Sequence, residues 1–177
     1  MRTLSAAGLL LCLIGCSSST VGADGSVADA STANGCTMIL SGALTVTVAC
    51  TVQAQYANGF GALTIVPTDR TFGNTSVALL HNAGPPAVGS WTDADPNGGW
   101  ITVHRQPLDA GLDPATWTSR ATGLGPPGTY TATFTSVALG AMTTDAQLYV
   151  VHGTVAAMLV PADGTTATGS VNMSVTF

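Results

Sequence analysis

Apolar and polar residues alternate with a period of two along most of this chain, and only a β-strand places every second side chain on one face. Leu44, Val46, Val48, Cys50, Val52, Ala54 and Tyr56 interleave with Thr45, Thr47, Thr51, Gln53 and Gln55. Near the C-terminus Val171, Met173, Val175 and Phe177 interleave with Asn172, Ser174 and Thr176, and Tyr130, Ala132 and Phe134 with Thr131, Thr133 and Thr135. Runs at Cys36–Ser41, Ala62–Val66, Ser76–His81, Ala87–Thr92, Trp100–Arg105 and Gln147–Val160 read as further strands, punctuated by Gly, Pro, Asn and Asp turns. About nine strands with no long helix to cross over predict an all-β, antiparallel fold. The expected form is a two-sheet β-sandwich, with a Greek-key barrel as the alternative. One helical turn is expected at Asp113–Trp117, with Asp113 as N-cap and Pro114 in the first helical position.

Composition agrees with the periodicity and narrows the function. Of 177 residues only 7% are charged; the acids are all Asp, and the only bases besides histidine are Arg2, Arg70, Arg105 and Arg120. With Glu and Lys absent and Thr, Val, Gly and Ala abundant, helix propensity is low and strand propensity high. A net charge of −5 without any basic run argues against nucleic acid as a partner, because such binding needs clustered cations to displace counterions. A polybasic membrane patch is excluded on the same ground.

The N-terminus carries the most specific motif. Met1-Arg2 forms a short positive region, and Leu4–Ile14 an apolar run of 11 residues, a signal-peptide length too short to span a bilayer. It ends in Leu13-Ile14-Gly15-Cys16. This tetrapeptide resembles the lipobox of bacterial lipoproteins. The resemblance implies cleavage after Gly15, a diacylglyceryl group on the Cys16 sulfur and acylation of the new amine, so that several buried chains hold the protein to a membrane. Ser17 is not the Asp that retains enteric lipoproteins in the inner membrane, so the resemblance favours the outer membrane. Residues 1–15 are thus expected to be a signal peptide. Cys16 to Gly35, rich in Ser, Ala, Gly and Asp, is expected to be a flexible tether, and 36–177 a single domain. The 19 residues after Cys16 have a random-coil reach of about 24 Å.

With Cys12 lost in the signal and Cys16 lipidated, Cys36 and Cys50 remain as an even pair in an oxidising compartment. A hairpin centred near Ala43 sets them opposite each other, on the face of Met38, Leu44, Val46 and Val48, so a structural disulfide is expected.

Candidates for chemistry are sparse. Asp93-Ala94-Asp95-Pro96-Asn97-Gly98-Gly99 matches the opening of a calcium loop, with Asp93, Asp95 and Asn97 as oxygen ligands. The twelfth position, where a bidentate Glu belongs, is His104. The same residues also make an ordinary polar turn, since each favours turn geometry. His81, His104 and His152 lack zinc-ligand spacing, and no G-x-S-x-G is present. Trp91, Trp100 and Trp117 lie around the acidic loop and would suit sugar stacking if exposed, or the core if not. No catalytic residue and no cofactor is assigned; calcium is the one candidate ion. The expectation is a non-enzymatic, lipid-anchored envelope module with a protein or glycan partner; a glycan- or calcium-binding module and a hydrolase are the alternatives.

Overall fold

A computed structural model describes residues 35–69, 74–82, 84–95, 98–107, 114–123 and 125–177. The lipobox, Cys16 and the expected tether up to Asn34 lie outside the described residues, as do Asn97 and Asp113. The described chain forms strands β1 (Cys36–Gly42), β2 (Val46–Ala57), β3 (Phe60–Pro67), β4 (Asn74–His81), β5 (Gly89–Thr92), β6 (Trp100–Gln106), β7 (Ala115–Thr118), β8 (Thr129–Met142), β9 (Gln147–Pro161) and β10 (Val171–Thr176). The fold is all-β, and every strand pairing is antiparallel.

Ten strands form rather than nine. The additional one, β7, corrects the helical turn expected at Asp113–Trp117. Thr116 and Thr118 are β-branched and suit a strand, and both flanks of the segment find partners: Thr102–Arg105 of β6 on one side and Val160–Pro161 of β9 on the other. A single helical turn has no comparable set of long-range bonds, so tertiary pairing overrides the local cap signal.

All ten strands hydrogen-bond into one sheet, ordered β10-β1-β2-β3-β4-β6-β7-β9-β8-β5, with further pairings β10–β9 and β2–β9. The β10–β9 pairing returns the order to its start, so β10, β1, β2, β3, β4, β6, β7 and β9 form a closed ring. Strand β9 makes this possible by its length. One edge of it pairs with β8 and then, at Val160–Pro161, with β7. Its other edge pairs with β2 at Gln147–Tyr149 and with β10 at Thr154–Leu159. Phe177 extends the β10 ladder through two backbone bonds with Gly153, 2.7 and 3.0 Å long. Gly153 has to be glycine, because a Cβ there would overlap the Thr133 carbonyl of β8.

The alternating residues read from the sequence face one core. Met38, Leu40, Val52, Ala54, Leu63, Ile65, Val77, Leu79, Ile101, Val103, Tyr130, Phe134, Val155 and Leu159 are all buried in it. Cys36 pairs with Cys50 in register and the two are joined by a disulfide, with Cα atoms 4.9 Å apart. β1 begins at that bond, and beyond Cys50 the same edge of β2 pairs with β9, at Ala54–Tyr56. Gly35, just before β1, has a φ of 110°, a conformation that favours glycine.

The disulfide closes a 15-residue loop and, in the chain-entropy model, is worth about 3 kcal/mol. Cys36→Ser/Cys50→Ser is therefore expected to lower the unfolding free energy by about that amount while leaving the β-rich circular dichroism spectrum intact. Chemical denaturation of the oxidised and double-serine proteins measures it.

Candidate functional site

The acidic turn between β5 and β6 gathers most of the polar chemistry of the described residues. Strand β5 pairs with β8, and Asp93 prolongs that ladder by one step. Its N–H reaches the Tyr130 carbonyl at 3.4 Å, and its Oδ1 accepts the Tyr130 N–H at 3.1 Å. Asp95 folds back on the same turn: its Oδ2 accepts the Thr92 N–H at 2.9 Å and lies 3.4 Å from Nε2 of His81, the last residue of β4. The Thr92 bond chiefly, with help from His81, holds the Asp95 carboxyl below its ordinary pKa, against a smaller opposing effect of burial. The turn closes with a 2.7 Å bond from the Gly98 N–H to the Asp95 carbonyl. Gly99 then passes so close to β4 that a Cβ would overlap the Leu80 carbonyl, which explains the glycine pair.

These bonds fit the turn reading of Asp93–Gly99. Each aspartate uses an oxygen on a backbone N–H of its own or a neighbouring strand, as Asp does in turns. His104, at the position where a calcium loop needs its last ligand, sits four residues into β6, about 13 Å along the strand from Trp100. Its Nδ1 is 3.0 Å from the Thr116 hydroxyl of β7. Asn97 lies outside the described residues. Among the described residues no group of three His, Cys, Asp or Glu side chains is placed to hold a metal ion. His152 is exposed on β9, and neither it nor His104 joins His81.

Two of the three tryptophans are buried. Trp91 is 7% exposed and Trp117 3%. Trp91 stacks on the His81 ring (centroids 4.5 Å apart, planes at 6°) and meets the Phe134 edge at 4.7 Å. Trp117 donates its indole N–H to the Gly169 carbonyl at 3.0 Å. Trp100 is half-buried, with the Arg120 guanidinium 4.4 Å over its ring. The expected sugar-stacking face is therefore corrected for Trp91 and Trp117: non-local neighbours draw both rings into the core, where their large area stabilises most.

Sequence reasoning did not find the His81–Asp95 contact, and no spacing rule could have, because the two sit 14 residues apart on different elements. It also missed Tyr130, placed among the ordinary alternating residues. Its hydroxyl is buried; the Gly99 backbone lies near it but does not meet the geometry of a hydrogen bond. Burial is the main cause that pushes its pKa up to about 12; the Asp95 and Asp93 carboxylates add to the effect and the Gly99 backbone opposes it. His81 is 4% exposed and walled by Trp91, whereas the Asp95 side chain on its outer side is 37% exposed, so the contact runs from the core to the surface. This arrangement fastens the turn to the end of β4. Comparison with protein-family models, curated proteins and solved structures finds no match.

Tyr130 gives a pH signature. Its folded pKa lies above the unfolded value of 10, so between pH 10 and about 12 the unfolded chain ionises first and stability falls as pH rises. The loss from this residue amounts to roughly 2–3 kcal/mol across that window. Tyr130→Phe removes the unpaired hydroxyl; it is expected to leave stability at pH 7 unchanged or slightly raised and to flatten the alkaline decline. Urea titrations of both proteins from pH 8 to about pH 12 check it.

Proposed function

We propose that the chain is a lipid-anchored envelope lipoprotein whose β-domain serves as a non-catalytic interaction module, in the outer membrane. One observation carries the reading: Leu13-Ile14-Gly15-Cys16 follows an apolar run of signal-peptide length. Two features support it. The Cys36–Cys50 disulfide suits an oxidising compartment outside the cytoplasm. The first described strand begins at Cys36, just after the segment whose composition reads as a tether. The engagement of Asp93 and Asp95 by backbone N–H groups favours a structural turn over a calcium- or sugar-binding site.

Architecturally, we read the closed ring as flattened into two facing layers, a sandwich with β2 and β9 at its corners. Support comes from the change of partner along both strands, β2 from β1 to β9 and β9 from β2 to β10. The partner of the module belongs to the envelope and is a protein or a glycan.

Metabolic labelling with a fatty acid in a bacterial host tests the anchor. The parent chain is expected to take up label and partition into detergent, and Cys16→Ala to lose both. Label retained by Cys16→Ala would remove the proposal's basis.

A further inference from the structure

We propose that the tips of the β2–β3 and β8–β9 hairpins form the membrane-facing end of the anchored domain and seat Phe60, Leu139 and Met142 in the lipid–water interface. The proposal rests on the lipid anchor at Cys16.

The β2–β9 pairing brings the two hairpins together. Tyr56 lies opposite Gln147, and Gln147 opposite Met142; Ala57, beside Tyr56, lies opposite Phe60. Four strand ends therefore make one rim, roughly 14 Å wide over three strand spacings. The turn at Asn58-Gly59, with φ of 53° and 86°, has the two-residue form that keeps a hairpin tight and holds Phe60 at its tip. Phe60 is 49% exposed, Leu139 56% and Met142 67%. The exposed Ile39, on β1, and Val66 and Met158, six and eleven residues along β3 and β9 from the rim, lie opposite polar residues such as Ser174, Thr51 and Asn172, and the exposed Val88 precedes β5. Among the described residues, the rim is where such side chains gather across two hairpins.

The direction of the chain selects lipid as the occupant. Strand β1 runs away from the rim, so Cys36, where the described domain begins its first strand, is the rim-side end of β1. From the level of Cys36, set by its partner Cys50, β2 continues seven residues to Ala57, about 23 Å. The segment from Ser17 to Gly35 has a random-coil reach of about 24 Å, so a relaxed tether brings the rim level with the lipidated cysteine. Neither tip carries Lys or Arg, and Asp145 lies in the β8–β9 turn, so the contact is apolar and needs no anionic headgroup.

The test uses the full-length lipidated protein in phosphatidylcholine vesicles containing brominated acyl chains, with Phe60→Trp, Met142→Trp and, at the exposed β1–β2 turn on the far end, Thr45→Trp. Emission is read as the difference from the parent. Phe60→Trp and Met142→Trp are expected to shift to the blue and lose most of their added emission to the bromine, Thr45→Trp to lose none, and anionic lipid not to deepen the quenching. Rim tryptophans that stay unquenched while Cys16 is lipidated would overturn the docking and leave the anchor standing. Blue-shifted but unquenched emission that depends on protein concentration would assign the rim to a second copy of the chain and likewise overturn it. A chain that carries no lipid on Cys16 would overturn both readings.

Discussion

The structure depends on one strand having partners along both of its edges. From Thr154 to Met158, β9 is paired with β8 on one side and β10 on the other, so its alternating N–H and C=O groups are satisfied in both directions. Above that stretch β9 collects β7, and below it β2, and these two contacts turn a row of hairpins into a ring. A closed ring removes exposed edges, the usual liability of a β-rich chain. The last strand in the order, β5, is only four residues long and is followed by the Asp93–Gly99 turn, which suits a protected edge.

The same constraint explains where the polar groups go. Closing the ring brings the end of β4 against β5 and β8, so His81, Trp91, Phe134 and Tyr130 meet around the acidic turn. Asp93 and Asp95 then meet backbone N–H groups before anything else. The orphaned Tyr130 hydroxyl is a local cost of packing that ring into the core.

Much of the fold was legible because its signals are local. Alternation marked the strands, and the equal distances of Cys36 and Cys50 from Ala43 gave the hairpin register, which the pairing of those two residues matches. Pairings between residues far apart in sequence left no such trace. The β2–β9 contact joins Ala54 to Tyr149, and β7–β9 joins Trp117 to Pro161; neither follows from a turn residue or a period. For that reason β7 resembled a capped helical turn, and the pairings that join the strands into one sheet were not foreseen. The tryptophans illustrate the same limit. Their type says that they cover surface, but whether that surface is core or ligand depends on His81, Phe134 and Gly169, which only the folded chain brings near.

Amide hydrogen exchange on the full chain tests the closure most directly. If β9 is paired on both edges, the amides of Thr154–Met158 exchange only through global unfolding and are the slowest in the protein, together with their β10 partners. Residues Val137–Met142, past the reach of the short β5 on β8, exchange faster through local opening. Alternating fast and slow amides along Thr154–Met158 would mean that one edge of β9 is open to water, and the closed ring would be contradicted.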